Sequence, residues 1–511
     1  MHTIRGDDLV SGAPAGRRER LDLSAHSARD PPAGREEDTI LGRKEDLLRA
    51  RFKIAVVLVS VFVMALATIP ARADHENDPR TKNLHPMGHI VEHGTFGGFG
   101  GGDPDIQSDI AFWGDLAIQG SWLDFEIRDI SSPGNPKPIS HTSCEGNQGD
   151  VVVWENIVVR SWNSPAPADD PATPDDETAF CDGEPVPAGF EGLHVFDISD
   201  VNDPVLVASV ETECGSHTAS GVPDLDNGRL LVYNSPSSGA CPGIDIVEVP
   251  LDAPENAAYV RFEPAGRSCH DTGVILGDAM TAGCSGGDGF TVWDLDAANL
   301  VDPQFRYSRS VPEATGGHSA AFSWDGEVFL YGSEPGGGVQ ARCQETGTDL
   351  GGGLIQTDEM KSIFFFEAAS GNMLGKWTLP RPQEAIENCT IHNFNVVPLP
   401  SGRYVVVSGN YQAGTWVTEF TDPANPVTLA WSDPPPAPPV GSPFCDPDGP
   451  GPQPPLGCDI AGAWSSYWYN NFIYETNFNE GLNIFRFSGR ETAGAMRLDH
   501  LNPQTQEFTL N

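Results

Sequence analysis

Residues 192–217 read GLHVFDISDVNDPVLVASVETECGSH. A Gly opens a run that alternates in period two, and Asp197-Ile198-Ser199 follows as a turn. After Pro204 a second alternating run leads to Cys214 and His217. Alternation over five to seven residues marks a half-buried strand, because successive side chains point to opposite faces. Asp and Ser bond their own backbone, and Pro fixes φ where the chain reverses. The stretch predicts a strand, a turn, a strand and the entrance to a third.

The first of these strands recurs along the chain. Its copies are residues 124–130 (DFEIRDI), 192–198 (GLHVFDI), 243–249 (GIDIVEV), 289–295 (GFTVWDL), 362–368 (SIFFFEA), 414–420 (GTWVTEF) and 481–487 (GLNIFRF). Asp129, Asp197, Glu248, Asp294, Glu367 and Glu419 share one aligned position, which Arg486 fills in the last copy. These acids open the following turn, where Asx-type bonds to backbone N–H groups are expected, so they are read as structural. Upstream of each copy lies a pair of strands joined by a tight turn, as in DIAFWGDLAIQGSW and AAFSWDGEVFLYGS. Asp-Asn-Gly, Trp-Asp-Gly and Pro-Ser-Gly supply hairpin signals. Each unit therefore has four strands in about 40–75 residues, and such units repeated around a ring make a β-propeller.

The expected fold is all-β, a seven-bladed β-propeller over residues 106–488 made of four-stranded antiparallel blades. The last unit has three strands of its own. The N-terminal segment 85–93 is expected to supply the fourth, closing the ring and removing an exposed edge. Residues 495–501 (AMRLDHL) compete for that place, and residues 489–511 are read as a tail.

Composition narrows the function. With 30 Lys and Arg against 72 Asp and Glu, the formal net charge is −42. Phosphate backbones need clustered basic residues, so nucleic acid is excluded as a natural partner. Arg49, Arg51 and Lys53 precede an apolar run over residues 54–70 and then Ala71-Arg72-Ala73. That is a secretory signal over residues 49–73 cleaved near Ala73, and its apolar run is short for a membrane span. The mature chain is expected to be secreted, monomeric and without a membrane span, meeting an extracellular ligand or protein. Residues 1–48 read as a polar, disordered extension, and residues 74–105 as a Gly-rich connector that carries the closing strand.

The ten cysteines are Cys144, Cys181, Cys214, Cys241, Cys269, Cys284, Cys343, Cys389, Cys445 and Cys458. An even number in an exported chain reads as disulfides. Pairing sequence neighbours would give 144–181, 214–241, 269–284, 343–389 and 445–458, although the sequence leaves the connectivity open.

Four histidines, His217, His270, His318 and His392, stand at the entrance of the first strand in four successive units. Gln107 and Gln148 take the matching place in the first two units and Ala463 in the last, so Gln107, Gln148 and Ser465 are candidates to line the channel. In a propeller these strands line the axis. Four converging imidazoles suit one transition-metal ion such as Fe, Zn or Cu. The plainer reading is that each His bonds the next blade's backbone and was copied with the repeat. Cys214, Cys269 and Cys389 lie close by, but as disulfides they offer no thiolate. The Asp224–Gly228 run (DLDNG) reads as a hairpin turn, since it lacks the later ligands of a Ca²⁺ loop. No G-x-S-x-G elbow, P-loop or H-E-x-x-H occurs, so no hydrolase is recognised.

GLHVFDISDVNDPVLVASV and TEFTDPANPVTLAW resemble the LVIVD-repeat proteins, secreted or cell-surface bacterial propellers. SDIAFWGDLAIQGSW, GSHTASGVPDLDNGR and GAWSSYWYNNFIYETNFNEGLNIF are similar to the actinobacterial branch. The resemblance spans residues 84–488 and implies the fold; it carries no assigned activity, and fold alone does not give one. Two functions are expected from it and from the histidines together. One is a binding propeller for a ligand or partner. The other is a metal-dependent oxidoreductase using the four axial His; carotenoid oxygenases, similar in general architecture alone, hold iron that way.

Overall fold

The computed structural model describes residues 77–90, 106–167, 178–236, 239–314, 316–338, 340–385, 387–434, 462–478 and 480–510, with backbone alone at 95–96 and 103–104. The N-terminal extension, the signal segment, most of the Gly-rich connector and the Pro-rich insertion with Cys445 and Cys458 lie outside these residues. Among the described residues the chain is all-β: strands and short 3-10 turns occur, and no α-helix. No helix there is long and apolar enough to cross a membrane.

The strands form four-stranded antiparallel units in up-and-down order, called sheets below; the sixth and seventh are joined by a parallel pairing at Asn393 and Ser465, and short C-terminal strands add to the first and fourth. Sheet two shows the pattern: Val151–Trp154, Ile157–Trp162, Gly192–Asp197 and Val205–Glu211. The first strands of the successive sheets, one to seven, are Gln107–Trp113, Val151–Trp154, Thr218–Asp224, Asp271–Ile275, Gly317–Phe322, Asn393–Val396 and Ala463–Tyr469. In the seventh sheet the fourth strand is Leu84–Ile90, antiparallel to Gly481–Phe487. The competing segment 495–501 goes elsewhere: His500–Leu501 pairs with Phe112 and Trp113 of sheet one.

Burial grades across each sheet. The first three strands are almost wholly buried, as in Gly192–Asp197, whereas the fourth strand, Val205–Glu211, is largely open to solvent. The half-burial expected from the alternation at 192–197 does not hold: GLHVFD is covered on both faces, His194 included, and other inner strands also bury polar residues such as Ser220, Thr272 and Asn395. The core lies as layers between sheets. Ile118, Phe125 and Ile127 of sheet one pack with Val153, Val158 and Phe196 of sheet two. Val152, Val159 and Leu193 of sheet two pack with Leu230 and Val247 of sheet three.

The recurring third-strand motif has a geometric cause. A Cβ on Gly192 would lie 2.1 Å from the carbonyl oxygen of Val210 on the fourth strand, and one on Gly243 2.2 Å from that of Glu263. At these positions only Gly permits that approach, while Asp124 and Ser362 hold the same place in the first and fifth sheets. The third and fourth strands also share a register shift between the fourth and fifth motif residues, for example at Val195/Phe196, Ile246/Val247 and Val292/Trp293. The same shift recurs at Ile127/Arg128, Phe365/Phe366 and Val417/Thr418. In sheet seven it falls opposite Ile484 and Phe485, between Pro86 and Gly88. Such bulges sharpen strand twist.

The aligned acids act locally. Asp129 Oδ1 accepts the Ser131 N–H at 2.9 Å, and Asp197 Oδ1 accepts that of Ser199 at 2.8 Å. Glu248 instead pairs with Arg229, and Asp294 with Arg306. The 224–228 run is a hairpin turn: Asp224 holds Asn227 and Arg229, and Gly228 takes φ +66°.

Four disulfides join sequence neighbours, Cys144–Cys181, Cys214–Cys241, Cys269–Cys284 and Cys343–Cys389. Cys269–Cys284 ties a loop to the second strand of sheet four, and the other three join residues outside the four-stranded units. Thiol titration of the unreduced, denatured chain is expected to find essentially no free thiol; several would contradict this pairing.

Residues 498–510 cross the far ends of the first strands. Besides the 500–501 pairing, Thr505–Gln506 runs parallel to Val274 and Ile275 of sheet four. Asn502 bonds both backbone groups of Val153 in sheet two, and Gln506 donates to the Phe322 carbonyl of sheet five.

Candidate functional site

Antiparallel pairing sets the start of each first strand beside the end of each second strand, as in Thr218 opposite Ser235 and Ala463 opposite Asn477. The site is built from these two sets of positions, at the ends of the first strands opposite the C-terminal segment. The strand entrances contribute His217, His270, His318 and His392. The second-strand exits contribute Trp122, Asn163, Glu334, Tyr411 and Phe478. Together with Gln148, Trp464 and Gly336 to Gly338, most of them line one cavity of about 480 Å³.

The four imidazoles stand in a row. Ring centroids lie 4.3 Å apart for His217 and His270, 3.7 Å for His270 and His318, and 4.3 Å for His318 and His392. Each Nδ1 is anchored outside the row. His217 Nδ1 donates to Asn163 Oδ1 at 2.7 Å, and the Asn163 amide is oriented by its own donation to Asn147. His270 Nδ1 meets Asp271 Oδ1 at 3.0 Å. His318 Nδ1 meets Ser319 Oγ at 2.8 Å, whose hydrogen is already given to the His392 carbonyl. His392 Nδ1 donates to the Trp464 carbonyl, which only accepts. For His217, His318 and His392 these partners hold the proton on Nδ1 and leave the lone pair on Nε2, and His270 follows when Asp271, which burial raises to about 7, is ionised.

The Nε2 atoms therefore face inward as acceptors. Those of His217 and His270 are 2.7 Å apart. Glu334 completes the group, its carboxylate oxygens 3.9 Å from His318 Nε2 and 3.8 Å from His392 Nε2. Ligand atoms of His270, His318 and Glu334 all lie within 4.8 Å of one another. Cys144, Cys181 and His194 form a second such group, but its cysteines are joined to each other and offer no thiolate.

Burial sets the charge states. It pushes His270 and His392 down to about 3, and His217 and His318 well below their ordinary value, with neighbouring imidazoles adding to the effect on His217, His318 and His392. All four are neutral at physiological pH, the form that ligates metals. Burial raises Glu334 to about 7, against the hydrogen bond donated by Tyr411 and with help from the Asp271 charge.

Sheet-to-sheet fastening uses the residues after His217 and His318, together with Ser285 of a second strand, which donates to the His318 carbonyl. Thr218 Oγ1 donates to the His270 carbonyl, and Ser319 Oγ to the His392 carbonyl. Only His392 spends a ring nitrogen on the next sheet's backbone. Gln148 lines the cavity, whereas Gln107 is buried away from it, accepting from Gln119 at 2.7 Å. Ser465 sits one layer deeper, donating to Asp109 at 2.7 Å. The residue matching His392 in sheet seven is Trp464 and not Ala463, because Asn393 pairs with Ser465 and a register shift separates Ala463 from Ser465.

That deeper layer is acidic. Asp109 and Asp150 are buried and bond each other, and Asp109 also accepts from Tyr467 and Gln504. Burial raises both carboxyls, Asp150 the more because the Asp109 charge adds to it. An acid raised by folding holds a proton that the unfolded chain has lost, so its contribution to stability falls as pH climbs from the ordinary carboxylate range toward the raised value. Asp150→Asn is expected to flatten the decline in urea midpoint as pH rises above the ordinary carboxylate range. An unchanged slope would contradict it.

The sequence pattern missed Glu334 and the aromatic residues. The residue just after the second strand would have found Trp122, Glu334 and Phe478, since the pairing brings it to the strand entrances; Tyr411 stands two residues past its strand, and Trp464 lies in a first strand. No family model matches the sequence, and neither does any curated protein. Among solved structures the chain is similar to the Dos1 propeller at 7% identity, with 80% of this chain and 84% of that chain covered and a TM-score of 0.44. It is similar to Kuenenia stuttgartiensis hydrazine synthase at 10% identity, 73% and 92% coverage and a TM-score of 0.45. For the mitotic checkpoint complex the values are 9%, 79%, 95% and 0.45. The finer resemblance to LVIVD-repeat proteins has no family model or curated relative behind it.

Proposed function

We propose that the chain is an exported, closed seven-bladed β-propeller that holds one transition-metal ion at the axis and binds a small ligand there. The ring is supported by contacts between first strands, which run from sheet one through sheet seven and back to sheet one. It is also supported by the shared bulge in sheet seven, where Leu84–Ile90 takes the fourth-strand place. Export follows from the signal-like residues 49–73 and fits four disulfides.

The metal reading rests on one observation: His217 Nε2 and His270 Nε2 are 2.7 Å apart, while both Nδ1 atoms are anchored to acceptors. Two lone pairs at that distance repel unless a cation lies between them. With metal–nitrogen bonds of about 2.0–2.1 Å, adjacent ligand atoms stand roughly 3 Å apart. The proposed ligands are His217, His270, His318 and His392 with Glu334. Four imidazoles and a carboxylate suit Fe, Zn or Cu.

An oxidoreductase is the second reading. It is favoured by the subset His270, His318 and Glu334, two His and one carboxylate beside an open cavity, a set that suits Fe(II). Metal analysis of the full chain separates the readings. One Fe or Cu per chain favours the oxidoreductase, one Zn favours binding, and no stoichiometric metal overturns both.

A further inference from the structure

Opposite the imidazoles the cavity wall is aromatic. Trp122, Tyr411, Trp464 and Phe478 come from sheets one, six and seven, and Tyr411 and Phe478 pack with centroids 5.6 Å apart. Trp464 stands 5.3 Å from Phe478 and 4.7 Å from His392, so the wall runs up to the imidazole row. Among the described residues no Lys or Arg lines the cavity, and Glu334 is the one acid there. The loop at Gly336–Gly338 adds backbone without side chains. A Cβ on Gly338 would meet Tyr411 Oη at 2.3 Å, at a φ of +69°. This loop lies against the Tyr411–Glu334 pair only because it is Gly.

Ligand pockets of this kind bind through apolar area and take their specificity from a few placed polar groups. An anion entering here would find no basic side chain and would be desolvated against apolar walls. A cation would face the metal. An aromatic ring would stack or tilt against Trp464 and Phe478 at favourable centroid distances. Resting on the metal reading, we infer that the cavity selects a small, neutral, planar aromatic molecule with a single metal-ligating heteroatom, the donor on the metal and the ring on the aromatic wall.

The test uses the full chain loaded with Co(II), whose visible spectrum reports ligand exchange. The probes are imidazole, 4-phenylimidazole and azide. 4-Phenylimidazole is expected to bind at least tenfold more tightly than imidazole and more tightly than azide. In Trp464→Ala, and independently in Phe478→Leu, that advantage should shrink to about twofold with Co(II) retained. Equal affinity for the two azoles, or tighter azide binding, overturns the ligand class while the metal centre stands. Failure of the wild-type chain to take up Co(II) overturns the metal reading and this inference with it.

Discussion

His318→Ala is expected to weaken metal binding by at least a hundredfold. His318 is one of the two inner members of the row, with His270 at 3.7 Å and His392 at 4.3 Å between ring centroids and Glu334 at 3.9 Å from its Nε2. Loss of outer hydrogen-bond partners alone typically costs 10–100-fold in metal affinity, so loss of a direct ligand should cost more. The control is Asn163→Ala, which releases His217 Nδ1 and keeps every ligand; it should fall in that lower range. Competition with a chelator of known affinity measures both. Equal affinity in wild type and His318→Ala, with the fold intact by circular dichroism, would contradict the proposed ligand set.

Removal of residues 498–511 is expected to lower stability by on the order of 3 kcal/mol or more. Leu498 and Leu501 are buried in the core cluster that holds Phe112, Tyr469 and Tyr474, and fully burying a Leu is worth about 1.5–3 kcal/mol. The deletion also strips Val153 of both Asn502 bonds and Asp109 of Gln504. Asn502→Ala alone should cost about 1–3 kcal/mol, because it leaves buried backbone groups without their partner. Urea unfolding checks both. A truncated chain with an unchanged midpoint would mean that this segment contributes nothing to holding the first strands together.

These two results test different degrees of legibility. The repeated strand was readable because Gly, alternation and turn residues recur at fixed offsets, and the close approach of Gly192 to the Val210 carbonyl explains why the Gly recurs. The cysteine pairing was legible only as a preference for sequence neighbours, which the four disulfides follow. The histidines stood out because the repeats place them all at strand entrances. Glu334 did not, since it lies in a Gly-rich loop with no periodicity and reaches His318 and His392 only through the pairing of Gly317 with Ser333. Trp464 was masked by the register shift beside Ala463. The C-terminal segment was invisible for another reason: its strands, His500–Leu501 and Thr505–Gln506, are too short to carry a period-two signal.

Crystals of the full chain, grown with one equivalent of Zn²⁺ or Co²⁺ and measured at that metal's absorption edge, test the central claim most directly. The account predicts a single strong anomalous peak about 2.0–2.2 Å from the Nε2 atoms of the axial histidines, with their Nδ1 atoms still bonded to Asn163, Asp271, Ser319 and the Trp464 carbonyl. The absence of a peak there, with His217 and His270 hydrogen-bonded to each other through one ring proton, would contradict it.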